Sequence, residues 1–176
     1  MKGPHFIPRN TESSQVSRVW HLAVYTLTNG VGTVATRELR HLGRVCLVRI
    51  FIVDDSATAR AALRAALEQR PDWVVVGEAF DGQHALTTFP LHMPHLTLMD
   101  FIMPKMNGIE AARHLTARHS DILILMVTAD PSKELEGEAR RAGIKGLCAK
   151  NEMQCLLKAV EALMDGGTYF SETAAA

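Results

Sequence analysis

From Val48 onward, short apolar runs alternate five times with longer amphipathic stretches, and this alternation narrows the fold more than any other property of the chain. The runs are VRIFIV (48–53), WVVVGEAF (73–80), LTLMD (96–100), DILILMVT (121–128) and GLCAK (146–150). Apolar at consecutive positions, they read as strands buried on both faces. The stretches between them carry helix signals. Ser56 caps a predicted helix through Arg70, with Ala59, Ala62, Leu63, Ala66 and Leu67 at helical spacing and a stop at Pro71. A weak helix is predicted around His84 to Phe89, and firmer ones over Ile109–Arg118 and Glu152–Met164. Pro131–Arg141 is also predicted helical, but Gly137 and the scarcity of large apolar residues place it among the least stable elements.

Strand and helix pairs in strict alternation predict an α/β fold, a doubly wound five-stranded parallel sheet covered on both faces. Right-handed crossovers leave few topologies, of which the flavodoxin-like order 2-1-3-4-5 is the simplest. In such sheets ligands bind at the carboxyl ends of the strands. Asp54 and Asp55 end the first run, Asp100 the third, Thr128 the fourth and Lys150 the fifth. The order makes these four strands neighbours, roughly 5 Å apart, so their ends form one pocket.

Three carboxylates in one pocket repel. Two unit charges about 4 Å apart cost roughly 4 kcal/mol at an effective dielectric near 20, so a cation has to offset them. All-oxygen ligation suits Mg²⁺, which keeps several waters and favours sites where a phosphate supplies more oxygens. The expected ligands are Asp54, Asp55, Asp100 and a backbone carbonyl near Ile102. Asp100 is then placed to act as a carboxylate nucleophile toward a phosphoryl group, with Lys150 pairing one phosphoryl oxygen and the Thr128 hydroxyl bonding another.

These residues carry a resemblance. IVDD at 52–55, LMDFIMPKMNG at 98–108, VTA at 127–129 and AGIKGLCAK at 142–150 resemble the receiver domain of bacterial response regulators, over essentially all of 48–170. VVGEAFDG at 75–82 and LLKAVEALMDGGTYFS at 156–171 are similar to the NarL/FixJ-type subfamily. The resemblance implies phosphorylation of Asp100 by a sensor histidine kinase or a histidine phosphotransfer protein. It also implies movement of Thr128 toward the phosphoryl group, and a change of shape, open to homodimerisation, on the face of helix 4, strand 5 and helix 5. The family's switch aromatic falls at Leu147 here, so switching by an aromatic flip is not expected of that position. Asn151 stands where relatives often carry proline or aspartate. Ile102 has no group to orient an attacking water, which predicts slow self-dephosphorylation. Relatives usually continue into a helix-turn-helix domain; with Ala176 close behind Ser171, none is expected here, nor direct nucleic-acid binding.

Residues 1–47 are expected to form an N-terminal extension, disordered or weakly structured. Asn29-Gly30 between HLAVYTLT and VGTVAT is a hairpin signal, although an isolated hairpin is marginal in water. That segment holds six Lys/Arg against two Asp/Glu, whereas 48–176 hold thirteen against seventeen, so the larger part offers no electrostatic support for nucleic acid. Cys46, Cys148 and Cys155 follow no metal or redox spacing, and no apolar run approaches a membrane span, which together predict a cytoplasmic protein. Gly77, Gly82 and Gly108 make no dinucleotide fingerprint, so no nucleotide cofactor is expected. Residues 171–176 are expected to form a short C-terminal tail. Two rivals stand beside the receiver. One is a phosphorylation-independent adaptor, to which Leu147 lends weight; the other is an aspartyl-phosphate phosphatase, against which Asp100 lacks the DxDxT pattern of haloacid-dehalogenase-like enzymes.

Overall fold

The computed structural model describes residues 47–171; the expected hairpin, the rest of the N-terminal extension up to residue 46 and residues 172–176 lie outside the described residues. The chain runs β1 (Val48–Val53), α1 (Ala57–Leu67), β2 (Trp73–Ala79), α2 (Gly82–His92), β3 (Leu96–Asp100), α3 (Gly108–Arg118), β4 (Leu123–Thr128), α4 (Lys133–Arg141), β5 (Gly146–Ala149), α5 (Met153–Met164) and β6 (Tyr169–Phe170). All strand pairs are parallel, in the order β2-β1-β3-β4-β5-β6. The expected order 2-1-3-4-5 is present, and β6 extends it by one short strand beside β5. Two residues are too few for any periodicity to announce them. β6 is held by β5, to which Ser171 N–H donates at the Leu147 carbonyl, and by the Arg140 guanidinium 3.6 Å above the Phe170 ring.

Strand alternation sorts the apolar side chains into two cores. Phe51, Val53, Met99, Ile124, Met126 and Leu147 face α2, α3 and α4, contacting Phe89, Ile109, Leu115 and Leu135 among others. Ile50, Ile52, Leu96, Leu98, Leu125, Val127 and Cys148 face α1 and α5, where Leu63, Leu67, Leu156, Val160 and Leu163 close over them. Burial on both faces explains why the strands read as unbroken apolar runs. In α1, Leu63 and Leu67 are buried but Ala62 is exposed, and the helix ends at Leu67 rather than Arg70. Pro71 disfavours helical geometry in the residue before it, and Arg70 lies over the Trp73 ring instead.

The predicted weak helix at 84–89 is longer than expected, because both its ends are held from outside its own hydrophobic pattern. At its start Asp81 is 2% exposed, and its Oδ1 accepts the His84 N–H at 2.6 Å. At its end the Arg49 side chain donates to the carbonyls of His92 and Met93, the latter at 3.2 Å, so the helix runs through Pro90 to His92. Carbonyls freed at a helix end need such partners.

The loop from β3 to α3 is clamped at two points. Gly108 N–H donates to the Phe101 carbonyl at 2.9 Å, and a Cβ on Gly108 would sit 2.2 Å from the Asp100 carbonyl oxygen, so only glycine allows this approach. Lys105, in the left-handed region at φ 65°, reaches the Asp81 Oδ2 at 2.7 Å. The Lys105 ammonium and the His84 amide hold the Asp81 carboxyl below its ordinary value of 3.8.

Two outcomes follow for stability. Gly108→Ala should lower the unfolding free energy by about 2 kcal/mol or more in urea titration, since the clash is with backbone that cannot rotate away. Because the Asp81 pKa is depressed on folding, its stabilisation is complete above the unfolded value near 3.8 and is lost as pH falls through the lower folded value. Asp81→Asn keeps a capping oxygen but removes the ion pair, so its melting temperature should fall below wild type at pH 7, with the gap closing toward pH 3.

Candidate functional site

β1 and β3 are neighbours in the sheet, and the chain leaves them in opposite directions across it, toward β2 on one side and β4 on the other. A crevice opens at the carboxyl ends of strands at such a reversal. β1 delivers Asp54 and Asp55 there, and β3 delivers Asp100. One oxygen from each of the three carboxylates lies within 4.8 Å of the others, the only such acidic cluster among the described residues. Asp54 is 1% exposed and Asp100 7%, whereas Asp55 is open to solvent.

Lys150, directly after β5, crosses to this cluster. Its Nζ lies 2.6 Å from Asp54 Oδ2 and 3.1 Å from Asp100 Oδ2. Burial works against the ammonium, but the bonds to Asp54 and Asp100 outweigh it and hold the Lys150 pKa above its ordinary value. Burial is also the main effect on Asp100: it raises the carboxyl pKa, Lys150 opposes the rise, and the Asp54 charge adds to it. One ammonium against three carboxylates leaves a surplus of negative charge at the crevice mouth. Three convergent oxygens, one of them exposed, make an all-oxygen donor set that fits a hard divalent cation such as Mg²⁺. The Ile102 carbonyl, at the mouth of the same crevice, accepts no hydrogen bond among the described residues.

Thr128 is at the end of β4, 1% exposed, and tied to the lysine strand, since Lys150 N–H donates to the Thr128 carbonyl at 2.7 Å. Its hydroxyl accepts the Asp130 N–H at 3.3 Å and bonds none of the three carboxylates. Asp54, Asp55, Asp100 and Lys150 are thus brought together, while the Thr128 hydroxyl is engaged by its own loop. The Ile102 side chain is 67% exposed at the mouth of the site, and Leu147 is buried in the core against α4.

The sequence reading missed a second layer. Arg60, on α1, donates from Nη1 to the carbonyls of Asp54 at 2.7 Å and Asp55 at 3.4 Å, and from Nε to Glu78 on β2 at 3.0 Å. Glu78 also takes Arg64, at 2.7 Å. Arg60 stands six positions after Asp54 at no spacing that signals contact, and Glu78 enters through the β1–β2 pairing, so local sequence held no pointer to either.

Known proteins resemble this chain in sequence and in fold. A family model described as response regulator receiver domain matches residues 50–161. The transcriptional regulatory protein DegU of Brevibacillus brevis is 30% identical over 69% of this chain and 52% of its own length. Response regulator UvrY of Escherichia coli is 29% identical over 71% and 58%, so the chain spans about half the length of these curated relatives. Protein CcdB of Bacillus subtilis is 32% identical over 67% of this chain and 98% of its own length. Among solved structures, a LuxR-family two-component response regulator from Aurantimonas sp. SI85-9A1 superposes with a TM-score of 0.69 at 31% identity, covering 72% of this chain and 91% of that one. With the family model matching well over half of the sequence, and with the acidic pair, the strand-end aspartate and the lysine at one crevice, the chain belongs to the response regulator receiver domain family.

Proposed function

We propose that this chain is a phosphorylatable receiver, spanning residues 48–170, that switches a protein-interaction surface in a two-component pathway of the cytoplasm. The observation that carries the reading is Lys150 bridging Asp54 and Asp100 beside Asp55, because this arrangement prepares a carboxylate for an anionic phosphoryl group. Asp100 is the acceptor. Its carboxylate oxygen attacks the phosphorus of a phosphohistidine on a sensor histidine kinase or a histidine phosphotransfer protein. A P–O bond forms, the P–N bond breaks, and the departing imidazole nitrogen keeps the electron pair and takes up a proton.

Asp54, Asp55, Asp100 and the Ile102 carbonyl would hold Mg²⁺, which when bound neutralises phosphoryl oxygens and so lowers the cost of bringing anion to anion. Lys150 transfers its ammonium from the two carboxylates to a phosphoryl oxygen. The Thr128 hydroxyl, now on Asp130 N–H, is the polar group at the strand ends that is free to turn toward the new charge. Its movement, together with that of Leu147 on the neighbouring strand β5, biases the face of α4, β5 and α5 toward a state that binds a partner or a second copy. The shift is bounded by how much better the phosphoryl group is held in that state. No membrane role is proposed: no helix among the described residues is long and apolar enough to span one.

The full chain with acetyl phosphate and Mg²⁺ should gain one phosphoryl mass, lost in Asp100→Asn and suppressed by chelator. Lys150→Ala should slow the reaction on the order of a hundredfold, the usual scale for removing a preorganised charge from a developing anion. No added mass would favour the phosphorylation-independent adaptor, and turnover of a small phosphomonoester would favour the phosphatase. Because the Ile102 side chain offers a water no hydrogen-bond partner, the phosphoryl group should persist for minutes or longer at room temperature. A half-life of seconds would show that another group orients the water.

A further inference from the structure

Arg60 is the one side chain on α1 that reaches the acidic pair, and it does so from behind. Its Nη1 bonds the main-chain carbonyls of Asp54 and Asp55, at 2.7 and 3.4 Å, and neither carboxylate. The guanidinium is kept there by Glu78, whose Oε2 accepts Nε at 3.0 Å while its Oε1 accepts Arg64. Arg60 is largely buried, its side chain 17% exposed, so the contact is fixed rather than one pose of a solvated arginine.

We infer that Arg60 is a positioning residue for the cation site, with Glu78 as its anchor. Asp54 and Asp55 are consecutive, and in extended backbone consecutive side chains diverge; to converge on one ion they need the peptide between them turned and held. Three hydrogen bonds hold it. Ser56 N–H donates to Asp54 Oδ1 at 2.9 Å, and Arg60 grips both carbonyls. Planar guanidinium can serve two carbonyls and a carboxylate at once; an ammonium cannot match that fork. Glu78 has a second effect. An arginine this close to two aspartates, if unanchored, would swing onto their carboxylates and compete with a cation, and the Glu78 bond holds it on the carbonyl side.

The inference rests on the cation reading above, and its sign separates it from simple electrostatics. Arg60 brings a positive charge near the ion, so by Coulomb's law alone its removal would tighten Mg²⁺ binding. Positioning demands the opposite.

The test titrates MgCl₂ into the full chain without any phosphoryl donor, following amide NMR shifts of Asp55, Ser56 and Phe101, with urea stability measured in chelator alongside. Arg60→Ala should weaken Mg²⁺ binding about tenfold, the scale seen when a partner orienting a metal ligand is removed. Arg60→Lys should recover part of the loss. Arg64→Ala breaks the other ion pair on Glu78 without touching the loop, and should change affinity less than twofold even where it costs as much stability. Unchanged or tighter binding in Arg60→Ala overturns the inference alone, as does an equal loss in Arg64→Ala. Failure of the wild-type chain to bind Mg²⁺, or binding indifferent to Asp54→Asn and Asp55→Asn, overturns the cation reading and this inference with it.

Discussion

Repulsion among carboxylates gathered at the strand ends is the constraint around which the molecule is arranged. A parallel sheet with β1 beside β3 leaves Asp54, Asp55 and Asp100 no way to avoid one another, and burial of Asp54 and Asp100 denies them the water that would screen the charge. Lys150 relieves part of the strain from the far side of β4, at 2.6 and 3.1 Å from two of the three. The remainder is the site's affinity for positive charge. A cluster held under such tension responds strongly when one member changes charge, which is the property a phosphorylation switch needs.

Rigid strands place the ends, but the loops beyond them aim the groups, and two of the three loops are held by a contact outside themselves. The β1–α1 loop is gripped from α1 by Arg60, anchored in turn on β2 through Glu78. The β3–α3 loop is pressed against its own strand at Gly108 and tethered to the start of α2 by the Lys105–Asp81 pair. The β4–α4 loop is more lightly fastened, the Thr128 hydroxyl holding Asp130 N–H at 3.3 Å. The loops that carry Asp54, Asp55 and Asp100 are therefore pinned from neighbouring elements, while the Thr128 hydroxyl is held by one long bond from Asp130 N–H.

The strands, four of the five helices to within a few residues, and the polar residues that end the strands, Asp54, Asp55, Asp100, Thr128 and Lys150, were legible in the sequence. Burial on both faces makes each strand an apolar run, and the polar residue that ends it marks the sheet edge. The extent of α2 was not legible, because Arg49 from β1 caps its far end and carries it through Pro90. Nor was β6, whose two residues are ordered by β5 and by Arg140 rather than by any pattern of their own.

Local hydrophobic periodicity by itself determined the α/β class, the parallel sheet and which residues stand at strand ends, because each depends only on near neighbours in the chain. Which atoms touch where those ends meet was decided by the tertiary structure. Lys150 and Asp100 are fifty positions apart, Arg64 and Glu78 fourteen, and such distances close only once the sheet has formed. The same holds for the direction of each polar side chain. A sequence can show that Thr128 is present at a strand end, but only packing sets its hydroxyl on Asp130 and the guanidinium of Arg60 on carbonyls instead of carboxylates.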